Sequence, residues 1–175
     1  MLKLLLLRHA KSRWDEPGVA DKGRDLAPRG LNAASRMGAL LRERGLVPDL
    51  VLCSTARRAI HTWQLAAAAL GAEPPVLYDE RLYLAAPGRM IAVACERGGD
   101  AKRLLLVGHD PGMHRLATSL AATGDVKLRE MLSAKFPTAG LALIALDLAA
   151  WSELGRQTGE LRGFWRPRDL GVAGD

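Results

Sequence analysis

Four stretches of this chain place costly polar side chains directly after apolar runs. Arg8 and His9 follow Leu4-Leu5-Leu6-Leu7, and Ser54, Thr55, Arg57 and Arg58 follow Leu50-Val51-Leu52-Cys53. Asp79 and Glu80 follow Val76-Leu77-Tyr78, and His109 follows a second Leu-Leu-Leu-Val run with Gly108 between. Brought together, these arginines and the two histidines suit a phosphoryl group. Its transfer is catalysed mainly by positioning and charge neutralisation. Arginine donates bidentately to such oxygens and never loses its charge. Each charge-assisted hydrogen bond of this kind contributes on the order of 1.5–3 kcal/mol. A histidine among arginines is disfavoured as a cation, so its neutral form is available as a nucleophile. Ser12, just downstream of His9, either donates its hydroxyl to phosphate or caps the loop that carries it.

The elements that must position these residues can be read from periodicity. Residues 2–7 form an apolar run too short for a helix, which suits a central strand buried on both faces. Residues 10–29, with Trp14, Pro17, Gly18, Gly23 and Pro28, show no sustained period, and a loop this long in a compact domain is usually functional or mobile. Trp14 is expected to anchor it. A helical stripe of Leu31, Ala34, Met37, Leu40 and Leu41 follows and ends at Gly45. Strands are expected at 50–53, 75–78, 103–107 and 140–146. Helices are expected from a Ser54 or Thr55 cap to Leu70, from Pro87 to about Glu96, and from an Asp110 cap with Pro111 at N1 to about Ala122. An edge strand near 160–165 completes the reading. Strands alternating with helices predict an α/β fold, a single domain over residues 1–175 with a mainly parallel sheet. In such a sheet the carboxyl ends of the strands share one rim, where ligands bind. The helix N-termini after Ser54 and His109 would add N–H donors there.

Composition narrows the function classes. Of 175 residues, about half are apolar and a quarter charged, as in an ordinary globular protein. The leucine run breaks at Arg8, too early for a secretory signal, and no run approaches the length of a membrane span. Cys53 and Cys95 match no metal or redox spacing, which favours a reduced, cytoplasmic setting. His109 and His114 lie five residues apart, on different helix faces, with no cysteine or carboxylate cluster beside them, so no metal is expected. The net charge of +6 invites a nucleic-acid reading. Aromatic residues are scarce, however, and only residues 162–168 interleave arginine with rings. Trp151, Phe164 and Trp165 are expected to pack, Arg57 to face solvent beside Arg58, and His61 to sit at a boundary.

Taken in order, Arg8-His9-Ala10-Lys11, Leu26-Ala27-Pro28-Arg29-Gly30, Ser54-x-x-x-Arg58-Ala59-x-x-Thr62, Asp79-Glu80-Arg81-Leu82-Tyr83 and Gly108-His109-Asp110-Pro111-Gly112 resemble the histidine phosphatase (phosphoglycerate-mutase-like) superfamily. Within it they look most like the SixA-type phosphohistidine phosphatases. The resemblance spans nearly the whole chain and implies a three-layer α/β/α sandwich. It also implies that His9 attacks phosphorus and becomes transiently phosphorylated, that Arg8, Arg58 and His109 hold the oxygens, and that Glu80 is the general acid. No cofactor or metal is implied, and the partner is a phosphorylated substrate, with phosphohistidine on a protein favoured. Other readings are a phosphatase of a small phosphomonoester, a non-catalytic phospho-ligand binder and a nucleic-acid binder. The chain departs from the family pattern in three places. Ala10 replaces the usual glycine, His61 stands where many members carry glutamine, and the adjacent Asp79 and Glu80 leave two candidates for the acid. A phosphoramidate nitrogen takes up a proton more readily than an ester oxygen, so it needs less help from a side chain.

Overall fold

A computed structural model describes residues 1–173. The leucine run is β1 (Leu2–Arg8), and Leu4 to Leu7 are completely buried. Alternation sends Leu2, Leu4 and Leu6 into one apolar core and Leu5 and Leu7 into another on the opposite face of the sheet. Each such leucine contributes about 1.5–3 kcal/mol by burial. The strand is therefore held on both faces up to the residue that delivers Arg8 and His9.

The remaining elements, in chain order, are α1 (Pro28–Glu43), β2 (Leu50–Ser54), α2 (Arg57–Leu70), β3 (Val76–Asp79), α3 (Pro87–Arg97), β4 (Arg103–Gly108), α4 (Gly112–Leu120), β5 (Ala121–Gly124), α5 (Val126–Ala134), β6 (Leu141–Leu146) and β7 (Gly159–Trp165). The seven strands form one mixed sheet in the order β3-β2-β4-β1-β6-β7-β5. β1, β2, β3 and β4 run parallel, while β6 is antiparallel to both β1 and β7. The four strands that carry the polar tips are thus contiguous and codirectional, as the shared-rim argument requires. Helices α1 and α2 cover one face with Met37, Leu40, Leu41 and Trp63. On the other face, α3, α4 and α5 contribute Val93, Met113, Leu116 and Leu132. The architecture is the expected three-layer α/β/α sandwich. Gly38 lets the first two helices touch, since a Cβ there would lie 2.0 Å from the Ala66 carbonyl oxygen. Gly45, with φ of +62°, ends α1 as expected.

Several boundaries differ from the sequence reading. The N-cap of α2 is Ala56 rather than Ser54 or Thr55, because the Ser54 hydroxyl is engaged elsewhere. Helix α4 begins at Gly112 after a cis Asp110–Pro111 bond, so Pro111 is the cap. The Asp110 carboxylate instead accepts from the N–H of His114 at 3.2 Å. The helix ends at Leu120 rather than near Ala122, because residues 121–124 pair with β7 as a short parallel strand. That pairing also places β7 inside the sheet rather than at its edge. Helix α5 had no expected counterpart, although Asp125 caps it by accepting from the Leu128 N–H at 3.0 Å. Trp151 and Phe164 are core residues, so neither is available to stack on a base. Among the described residues no helix is long and apolar enough to cross a membrane.

Candidate active site

At the carboxyl rim of β1, β2 and β4 a cavity of about 280 Å³ is lined by Arg8, His9, Ser12, Asp21, Arg24, Arg58, His109 and Asp110, among others. His9 emerges from β1 and remains buried, 7% exposed. Its Nδ1 lies 2.8 Å from the Ala10 carbonyl oxygen, a contact that requires Nδ1 to carry the proton. Nε2 is then the lone-pair nitrogen. Burial, with lesser contributions from His109, Arg58 and Arg8, lowers the His9 pKa from 6.5 to about 3, so the ring is neutral at physiological pH. The strand end is further fixed by Thr62 on α2. Its hydroxyl accepts from the Ala10 N–H at 2.9 Å and donates to the Arg58 carbonyl at 2.6 Å.

His109 leaves β4 with its ring centroid 5.2 Å from that of His9. Burial and Arg58 lower its pKa to about 3 as well. The completely buried Ser54 sits 2.7 Å from His109 Nε2 and accepts the Ala56 N–H at 3.2 Å. The direction of this hydrogen bond follows the His109 tautomer: when Nδ1 carries the proton, the Ser54 hydroxyl donates to Nε2. That Nδ1 is buried and has no hydrogen-bond partner among the described residues. The same holds for Arg8 Nε and Arg58 Nε. Orphaned buried polar atoms are costly, of the order of 1–3 kcal/mol each, and these three belong to residues that line one cavity. Arg8 donates to the Phe136 carbonyl at 2.8 Å and lies 3.3 Å from Asp110. Arg58, 2% exposed, donates to the backbone oxygen of Asp21 at 2.7 Å and to its carboxylate at 3.1 Å.

Five cavity residues, Lys11, Ser12, Trp14, Asp21 and Arg24, come from the stretch that showed no period. Residues 11–13 and 25–27 zip together through Arg13 N–H to Asp25 O, Ala27 N–H to Lys11 O and a Ser12–Leu26 bridge. The strap so formed carries Asp21 at its tip, on a short 3-10 turn. Ser12, 5% exposed, accepts from Arg24 at 2.6 Å and so braces the strap while lining the cavity. Trp14 is 75% exposed, and the guanidinium of Arg24, from the same loop, stacks on its ring at 3.6 Å. Tyr83 reaches over, with its hydroxyl on Asp21 and its ring edge-on to His109 at 5.5 Å. No local pattern in residues 10–29 marks Asp21 or Arg24. The only sequence hint was the unusual length of the loop.

Asp79 and Glu80 do not line this cavity. Asp79 turns into a salt bridge with Arg81 at 2.7 Å, and Arg97 lies 3.8 Å away. Glu80 is exposed, bound by Lys22 and by the Thr55 hydroxyl, and both contacts hold its carboxyl below the usual range. The two carboxyls inside the cavity are opposites. Asp21 is held well below the carboxylate range, first by the Tyr83 hydroxyl and then by Arg24 and Arg58. Asp110 is pushed up by burial, against the pull of Arg8. Arg57 faces solvent and pairs with Asp25. His114 Nε2 donates to the Leu132 carbonyl at 2.6 Å, and no described cluster of His, Cys, Asp or Glu could hold a metal ion.

The sequence model of the histidine phosphatase superfamily, branch 1, matches residues 4–90. An uncharacterised protein of Mycobacterium tuberculosis is 41% identical over 164 residues, covering 93% of this chain and all of the relative. Two solved structures, candidate phosphohistidine phosphatases SixA from Nakamurella multipartitia and Agrobacterium tumefaciens, are 29% and 28% identical. Both superpose with a TM-score of 0.78 over 94% of this chain, covering 95% and 97% of theirs.

Proposed function

The chain belongs to the histidine phosphatase superfamily and is a phosphatase, and from that premise we propose that it hydrolyses phosphohistidine on a protein through a phosphorylated His9. The observation that carries this reading is the neutral His9, its Nδ1 committed to the backbone, facing a cavity shared with Arg8, Arg58 and His109. In the first step the His9 Nε2 lone pair forms a bond to phosphorus. The bond to the leaving nitrogen breaks with its electron pair, and that nitrogen takes up a proton. Arg8, Arg58 and the Nδ1–H of His109 hold the three non-bridging oxygens, and Ser12 keeps the strap in place through Arg24. Water then attacks phosphorus, the bond to His9 breaks, and inorganic phosphate leaves.

The proton comes from inside the cavity. Glu80, which the family resemblance nominates, stands outside the lining and is ionised by Lys22 and Thr55. Asp21 is likewise ionised. Asp110 combines a place in the lining with a carboxyl raised by burial, so it is the donor we assign. The cavity, about 280 Å³, falls at or below the lower end of typical small-ligand pockets, roughly 300 Å³. It admits a phosphoryl group and a ring while the bulk of a protein substrate stays outside.

The test compares wild type and His9→Ala on an aryl phosphate and on a phosphohistidine-bearing protein. Wild type should release phosphate from both and the variant from neither, and an acid-labile phosphate should be trapped on wild type alone. Equal release by the variant would remove His9 from its role. Turnover of the aryl phosphate with none of the phosphoprotein would point to a small phosphomonoester as substrate.

A further inference from the structure

Asp21 and Asp110 are the two acidic side chains in a cavity whose other charged lining residues are cations, and only Asp21 is held ionised by several donors at once. Its Oδ1 accepts from Arg24 at 2.9 and 3.2 Å, and its Oδ2 accepts from Arg58 at 3.1 Å and from the Tyr83 hydroxyl. The side chain is nevertheless 43% exposed, so it meets whatever enters. A purely structural brace for Arg58 is already supplied by the backbone oxygen of the same residue at 2.7 Å. The carboxylate adds a fixed negative charge beside the phosphoryl position, and it offsets Arg58 and Arg24.

We propose that Asp21 sets substrate selectivity. It favours phosphoryl donors whose leaving group carries positive charge, such as the ring of a protonated phosphohistidine, and it disfavours phosphomonoesters with a second anionic group. This rests on the phosphatase reading and names the substrate class of the same site. A cavity of this volume is about 8 Å across, no wider than a Debye length at physiological salt, so a charge on the substrate feels Asp21 with little screening. Across about 6 Å at an effective dielectric of about 40, one charge pair is worth about a ten-fold factor.

The experiment measures kcat/KM for wild type, Asp21→Asn and Asp21→Glu on three substrates. They are a phosphohistidine peptide, phenyl phosphate with a neutral leaving group, and 3-phosphoglycerate with its extra carboxylate. Asparagine removes the charge and keeps one acceptor oxygen, so either Arg24 or the Arg58–Tyr83 pair then meets its NH2, a change common to all three substrates. Relative to phenyl phosphate, Asp21→Asn should gain about ten-fold on 3-phosphoglycerate and lose about ten-fold on the phosphopeptide, while Asp21→Glu keeps both ratios. If all three substrates change by one common factor, Asp21 only positions Arg58 and the proposal is overturned. If wild type turns over none of them, the phosphatase reading fails separately. Calorimetric titration with 3-phosphoglycerate and inorganic phosphate then still decides, since the Asn variant must tighten the former selectively or the charge role is refuted.

Discussion

Ser54→Ala removes one oxygen atom from a completely buried site and should cost both stability and turnover, by separable amounts. The hydroxyl satisfies His109 Nε2 at 2.7 Å and the Ala56 N–H, the N-cap residue of α2, at 3.2 Å. Alanine leaves both groups buried without a partner, and each orphan costs about 1–3 kcal/mol, of which a relaxed neighbour recovers part. A loss of about 2–3 kcal/mol in urea-denaturation stability is therefore expected. The catalytic loss has a different origin. In the proposed mechanism Ser54 holds the His109 proton on Nδ1, and without it neutral His109 is free to move that proton to Nε2, which turns Nδ1 from donor to acceptor. Outer-shell partners that hold a histidine tautomer are worth about 10–100-fold at comparable sites. Turnover of an aryl phosphate, measured below the unfolding transition, should fall by that factor, chiefly in kcat, because His109 then repels charge as it develops. Ser54→Thr retains the hydroxyl and should recover most of the rate. A Ser54→Ala enzyme that is destabilised yet turns over within two-fold of wild type would refute the assigned role of His109.

Acid should destabilise the fold from an unusually high pH. His9 and His109 titrate near 6.5 when unfolded but only near 3 in the native state, chiefly because burial disfavours the cations. Above pH 6.5 both states leave them neutral. Below it the unfolded chain binds protons that the native chain refuses, so each histidine removes up to about 1.4 kcal/mol per pH unit until pH approaches 3. Urea midpoints between pH 7 and 4.5 should therefore fall less steeply for His9→Asn than for wild type, and parallel slopes would contradict the burial argument. Asp110→Asn should slow alkyl phosphates, which need a proton, by about 100-fold or more, and scarcely affect a nitrophenyl ester, whereas Glu80→Gln should treat both alike. A Brønsted plot of rate against leaving-group pKa separates the two. Gly38→Ala should unfold or loosen the α1–α2 contact, costing several kcal/mol, since its Cβ would sit 2.0 Å from a backbone oxygen. Thermal denaturation measures it.

The catalytic rim was legible in the amino-acid order because a central parallel strand buried on both faces has to be a continuous apolar run. Leu4–Leu7, Leu50–Cys53 and Leu104–Val107 announce themselves, and whatever polar residue follows must stand at a strand end. That rule alone picked out Arg8, His9, His109 and the pair Arg57 and Arg58 before any likeness was weighed, and the likeness then singled out Arg58. It gives the rim but not which side chains turn into it. Asp79 and Glu80 both follow β3, yet one folds back onto Arg81 and the other goes out to Lys22, whose position depends on a strap 58 residues earlier in the chain. Ser54 looked like a helix cap because a hydroxyl at that spacing usually is one. Its partner is His109, 55 residues away, and no local signal competes with that. Residues 10–29 carry no period, so their fold and the arrival of Asp21 beside Arg58 follow only from backbone pairing of 11–13 with 25–27. The sequence alone therefore marked the parallel strands, their shared rim and the proposed nucleophile, since burial writes itself into composition. The arrival of Asp21 beside Arg58, the Ser54–His109 contact and the burial of Asp110 were decided by tertiary contacts between residues far apart in the chain.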